Sequence, residues 1–104
     1  MRSRRHRRCH RHSGGSRGSG PMHELAVAQR LVDRAVETVR DHDASRVRAM
    51  RIALGPDDHL TPEALAFSVE AACRGTLAEG ANIQITHMAT SGVRLCDVDI
   101  EEPA

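Results

Sequence analysis

Aromatic residues are almost missing from this chain: Phe67 stands alone, with no Trp and no Tyr. Recognition of nucleic acid by stacking bases on rings therefore has almost no material. Lysine is absent too, so all 15 basic side chains are arginine. Such a bias more often reflects genome composition than function. No apolar run approaches the roughly 18 residues that span a bilayer. Cys9, Cys73 and Cys96 make an odd count without a Cys-x-x-Cys pair. Neither a disulfide framework nor a zinc knuckle can be read from them. Nor is there a nucleophile–base set, a phosphate loop or a cofactor fingerprint, so the chain does not read as an enzyme. At 104 residues it holds one domain at most.

What is present divides sharply by charge. Residues 1–21 carry seven Arg and no acid, while residues 22–104 carry eight Arg against fourteen Asp and Glu. The second part is acidic and is not expected to bind nucleic acid through charge. The first part is low-complexity Arg, His, Ser and Gly, a composition expected to be disordered. No hydrophobic region follows its arginines, so it is not a secretory or twin-arginine signal. It has no apolar face for a transit peptide either, which leaves the cytoplasm as the expected compartment. Three readings of it stand side by side. It is a misjudged start, with Met22 the true first residue; or a passive disordered tail; or a tail that binds anions, or a metal through His6, Cys9, His10 and His12.

Regular periodicity begins at Met22. From His23 to about Asp41, Leu25, Ala28, Leu31, Val32, Ala35, Val36 and Val39 recur at spacings of three and four, predicting an amphipathic helix. Val47 to Leu54 alternates and predicts a strand, with Arg48, Met50, Ile52 and Leu54 on one face. Gly55-Pro56-Asp57-Asp58 is a turn. Thr61-Pro62-Glu63 is an N-cap, a first-turn proline and a helix-start acid, predicting a second helix with Leu65, Val69, Ala72 and Cys73 inward and Gly75 as its stop. Cys73 reads as a small buried hydrophobe. Ala81, Ile83, Ile85 and His87 alternate as a second strand. Val93 to Ile100 is a third, in which Cys96, Val98 and Ile100 share a face and Val93 and Leu95 fall on the other, so a bulge is expected near Leu95. The expected fold is α+β, in the order α-β-α-β-β: two helices packed on one face of a small three-stranded sheet. Residues 22–104 form the domain, and 1–21 precede it.

Several of these segments, in this order, resemble the HypA/HybF family of hydrogenase maturation proteins. Met22-His23-Glu24-Leu25, with Ala28-Gln29 following, is similar to the family's amino-terminal signature. Val47-x-x-x-Arg51-Ile52-x-Leu54-Gly55 resembles its first strand. Pro62-Glu63-Ala64-Leu65-x-Phe67 and Gly75-Thr76-x-Ala78-Glu79-Gly80-Ala81 resemble its second helix and the turn after it. The likeness covers about residues 22–87. It departs beyond His87, where the family carries a zinc-binding insert built from two Cys-x-x-Cys pairs. Here Met88-Ala89-Thr90-Ser91-Gly92 leads straight into Val93, as if the insert were deleted. A structural zinc needs four ligands, commonly thiolates, and only Cys96 lies nearby. No structural zinc is expected.

The resemblance implies that Ni(II) is held by Met22, His23 and Glu24. If Met22 is terminal, its α-amine, two deprotonated backbone amides and the His23 imidazole supply four nitrogens, a set that suits square-planar Ni(II). Glu24 also has a simpler use, since an acid in the first turn stabilises the positive helix end. His42, His59 and His87 read as ordinary surface histidines. The function implied is a nickel metallochaperone or adaptor for [NiFe]-hydrogenase maturation. Its implied partners are a HypB-like GTPase and the hydrogenase large-subunit precursor, and it is a monomer or dimer. The alternative is a zinc-less paralogue that works as a protein-interaction module without delivering metal.

Overall fold

A computed structural model describes residues 2–12, 21–56 and 60–103, with residues 2–12 and 21–24 described as backbone. The elements are β1 (Arg2–His12), α1 (Pro21–Asp41), β2 (Arg46–Leu54), α2 (Pro62–Cys73), β3 (Asn82–His87) and β4 (Val93–Glu102). From α1 onward the order is the expected α-β-α-β-β. The sheet runs β1-β4-β2-β3, with β2 parallel to β3 and antiparallel to β4.

Both helices form where local chemistry places them. In α1, Ala28, Leu31, Val32, Ala35, Val36 and Val39 are all buried, whereas Leu25, expected in the same stripe, is 46% exposed, one turn ahead of where the buried stripe begins; Arg30, Asp33, Arg34 and Glu37 are exposed. The helix ends where Asp43 takes a left-handed φ of 50°, a conformation Asp tolerates. Ahead of α2, the Thr61 hydroxyl accepts from the Ala64 N–H at 3.1 Å, the expected cap. Leu65, Val69 and Cys73 face inward, Ala72 is half-buried, and Gly75 follows with φ 77°.

Two bulges set which sheet residues reach the core. Val47 pairs with Ile100 and Ala49 with Asp99, so Arg48 is the extra residue in β2. Its insertion shifts the phase. Val47 joins Met50, Ile52 and Leu54 in the core, and Arg48 is exposed rather than sharing their face. The second bulge lies where one was expected. Arg51 pairs with Asp97 and Ile52 with Leu95, which makes Cys96 the extra residue in β4. Val93 and Leu95 thereby fall in with Val98 and Ile100, while Cys96 does not share their face. A bulge adds one residue and reverses the in–out phase beyond it.

The outer sheet face is polar. Arg51 Nη1 lies 2.8 Å from Asp97 Oδ1, and Arg46 Nε lies 3.0 Å from Glu101 Oε1. Arg48 Nη1 reaches the same Glu101 oxygen at 3.4 Å. Both acids are buried.

Residues 2–12, expected to be disordered, instead add a fourth strand to the expected three. β1 pairs antiparallel with β4, placing Arg2 opposite Glu102, Arg5 opposite Asp99 and Arg7 opposite Asp97. Without it β4 would be an open edge, whose unpaired N–H and C=O groups accept a strand. Oppositely charged residues across such a pair add roughly 0.2–1 kcal/mol each. Every residue of the described core nevertheless lies between Ala28 and Ile100. The domain from Met22 onward therefore carries its own hydrophobic core.

Candidate metal-binding end of the sheet

The strand register defines one end of the molecule. Leu54 pairs with Val93 on one side and His87 on the other, and Val93 pairs with His12. A row His12–Val93–Leu54–His87 therefore crosses all four strands. At the opposite end, the Ser45 N–H donates to the Glu101 carbonyl at 2.7 Å, just before β2 begins. Since α1 ends at Asp41, its carboxyl end lies there. A helix of 21 residues is about 31 Å long, much the same as β2 at about 30 Å. Packed on the sheet, it runs back antiparallel to β2. Its first turn, Pro21-Met22-His23-Glu24, thus lies at the end marked by His12, Leu54 and His87.

Helix position matters to the backbone there. The first four N–H groups of a helix have no intrahelical acceptor. In α1 these include Met22 and His23, because Pro21 has none. Two of the nitrogens that the sequence offers as ligands, those of Met22 and His23, are thus ones the helix leaves unused. The helix dipole places partial positive charge at this point and by itself repels a cation. Two deprotonated amides would reverse that sign. The side chains of Met22, His23 and Glu24 lie outside the described residues, as do Asp57, Asp58 and His59.

The same end holds the junction between β3 and β4. Only Met88–Gly92 separate the two strands, and no cysteine is among them. Two hydrogen bonds clamp the junction: Met88 N–H to the Leu54 carbonyl at 3.0 Å and Gly55 N–H to the Gly92 carbonyl at 2.9 Å. Gly55 is buried against it, so closely that a Cβ there would lie 2.0 Å from the Thr90 oxygen. Among the described residues, no group of three or more His, Cys, Asp or Glu is arranged to hold a metal.

Remaining candidates are dispersed. Cys73 is buried in the core, and desolvation, with a smaller push from the Glu70 carboxylate, raises its thiol to about 11. The thiolate is the metal ligand and nucleophile, so this sulfur is chemically quiet. Cys96 sits at the β4 bulge. His42 closes α1, where its Nδ1–H donates to the Thr38 carbonyl at 2.9 Å. An open groove of about 670 Å³ lies at the far end, between α1 and the turn after α2, lined by Asp33, Glu37, Arg40 and Leu77 among others. It contains no histidine or thiol. Among the described residues no helix is long and apolar enough to cross a membrane. What the sequence did not announce is the convergence itself. His12 and His87 are 75 residues apart in the chain, and only strand order joins them in one row.

Comparison with known proteins adds a family. Residues 22–101 match the family model described as "Hydrogenase/urease nickel incorporation, metallochaperone, hypA". A hydrogenase maturation factor HypA from Rhizobium leguminosarum bv. viciae is 35% identical over 71 residues, covering 68% of this chain and 63% of that protein. One from Methylocella silvestris is 44% identical over 64 residues, covering 62% and 57%. The chain thus spans about three-fifths of the length of the curated relatives it matches. The solution structure of the Ni metallochaperone HypA from Helicobacter pylori superposes with a TM-score of 0.67 at 10% identity, covering 77% of this chain and 98% of that one. That likeness speaks for the fold.

Proposed function

From the premise that this chain belongs to the HypA family of hydrogenase/urease nickel-incorporation metallochaperones, we infer that it binds Ni(II) at the start of α1 and passes it on during maturation of a nickel enzyme. A [NiFe]-hydrogenase large-subunit precursor is the client this reading favours, with a HypB-like GTPase as the partner and the cytoplasm as the compartment. The observation that carries it is the coincidence of three things at one point of the chain. The family match begins at residue 22, α1 begins at Pro21, and Met22 and His23 carry amides that its first turn leaves unused.

Each residue has a role in this reading. His23 supplies the imidazole. Met22 supplies its nitrogen, a free amine in a form of the protein that begins there. Glu24 supplies a backbone amide. Because amides and imidazole must shed protons to bind, affinity falls as pH falls. The protein is a carrier and not a catalyst: it binds and releases, and weak exchangeable ligation suits that task. No structural zinc accompanies the nickel, since the β3–β4 junction offers no thiol.

Intact-mass measurement of the native protein, followed by nickel titration of a form beginning at Met22 and of its His23→Ala variant, tests the proposal. The expected result is one nickel per chain, lost or strongly weakened by His23→Ala. Equal affinity with and without His23 would overturn it and leave the interaction-module alternative. Metal analysis of the same sample tests the zinc statement, which one bound zinc per chain would contradict.

A further inference from the structure

We propose that β3 is a dimerisation edge, which pairs antiparallel with β3 of a second copy of this chain and joins two sheets into one. The sheet order β1-β4-β2-β3 leaves β3 outermost on one side, and among the described residues β2 is the one strand that pairs with it. The backbone shows which of its groups are left over. Met88 N–H donates to the Leu54 carbonyl, and residues two apart in a strand turn the same way. Asn82, Gln84 and Thr86 therefore bond to β2, while Ile83, Ile85 and His87 turn their N–H and C=O groups outward. An edge of this kind is a template for another strand.

Edge strands are ordinarily blunted by charge, proline or a bulge. β3, Asn82-Ile83-Gln84-Ile85-Thr86-His87, has no Lys, Arg, Asp, Glu or Pro, and its register with β2 runs without a shift. Ile83 and Ile85 pack on the core yet stay half-exposed. Asn82, Gln84 and Thr86 are exposed and share the outer face with Arg51 of β2. The occupant follows from charge and register. β1 and β2 carry arginines and β4 carries acids, so among the described strands β3 alone is uncharged. The strand that suits it has polar residues on one face and branched apolar residues on the other, and β3 itself is such a strand. Placing Ile85 on a two-fold axis sets Ile85 opposite Ile85 and Ile83 opposite His87, which pairs every outward group. Gln84 then stands opposite Thr86, so like faces meet and no charge opposes another. A two-fold contact requires this self-complementarity. Because the strands run antiparallel, the two His87 ends point apart along the joined sheet.

Sedimentation equilibrium of the full 104-residue chain, with EDTA present to exclude metal bridging, tests this, and circular dichroism confirms that each variant is folded. The contact is small, so the parent is expected to pass from monomer to dimer as its concentration rises. Gln84→Lys/Thr86→Lys sets lysine opposite lysine at exposed positions of the outer face. It is expected to weaken dimerisation roughly tenfold or more, and Gln84→Glu/Thr86→Glu is expected to do the same. Mixing the two charged variants sets Lys opposite Glu and is expected to restore the dimer, which damage confined to the fold would not allow. A parent that stays monomeric at every concentration, a dimer that survives in either charged variant, or no recovery on mixing overturns the proposal. The nickel titration above is independent of it. Nickel binding without a dimer leaves the carrier reading standing, and a dimer without nickel binding leaves the β3 edge standing.

Discussion

Replacing Gly55 with alanine is expected to be among the most damaging single-methyl changes available to this protein, and the structure supplies the size of the effect. A Cβ at residue 55 would lie 2.0 Å from the Thr90 oxygen, 2.7 Å from the Ser91 Cα and 2.8 Å from the Thr90 carbonyl carbon. All three are backbone atoms, so no side chain can rotate away. Restoring ordinary contact requires the β3–β4 junction to move by more than about 1 Å, since carbon atoms pack at about 3.5–4.0 Å. Overpacking of this kind costs about 1–3 kcal/mol. The shift also threatens two hydrogen bonds, Met88 N–H to Leu54 and Gly55 N–H to Gly92, worth about 1 kcal/mol each. A total of about 3 kcal/mol follows, lowering Tm by about 12–24 °C in a domain of this size. Gly75→Ala is the control. Gly75 has φ 77° and nothing within 4 Å of its Cβ position, so only backbone strain of about 1–2 kcal/mol applies. Thermal melts followed by far-UV circular dichroism decide between them. A Gly55→Ala protein that melts within about 4 °C of the parent, or no lower than Gly75→Ala, would refute the idea that the junction is seated on a backbone with no room for a side chain.

Two further outcomes are expected. Asp97 is buried under a guanidinium whose side chain is 25% exposed, so Arg51→Met should cost about 2 kcal/mol, less than a fully buried pair; Arg51→Met/Asp97→Leu should recover most of it, which urea titration measures. The folded state holds the Cys73 thiol at about 11 against an ordinary 9.0, so it binds this proton more tightly than the unfolded chain does. Stability from this source is complete below pH 9 and drains away between pH 9 and 11, by about 1.4 kcal/mol per pH unit at most. A Cys73→Ala variant should show a flatter decline in stability over that window, and Cys73 in the parent should resist alkylation at neutral pH until the protein unfolds.

The parts of this fold that were legible from sequence are those that depend on neighbours in the chain. The apolar stripe of α1 from Ala28 to Val39, the Thr61 cap and the Gly75 stop are all local, and the structure places them as read, with only Leu25 of the stripe left exposed. The β4 bulge was legible because two apolar pairs, Val93/Leu95 and Val98/Ile100, fall out of phase within one strand. The β2 bulge was not, because Val47 to Leu54 alternates without a visible break, and only the pairing of Val47 and Ala49 with β4 exposes the extra residue. β1 was hidden for a similar reason. Its composition reads as disordered, and its partners lie some ninety residues away in an acidic strand. For the metal-binding end, Met22-His23-Glu24 stood out only through family resemblance. The row joining His12 to His87 exists in the sheet order and nowhere in the sequence.

That sheet order also has a consequence for biosynthesis. β4 is made after β1, β2 and β3, yet it lies inside the sheet, and Val93, Leu95, Val98 and Ile100 complete the core. The apolar stripe of α1 emerges from the ribosome some sixty residues before the strand that seals it. At about 5–20 residues per second, that face waits several seconds without its final cover. A nascent chain paused before Val93 should therefore be a chaperone client, whereas one whose Glu102 has cleared the ribosome should not.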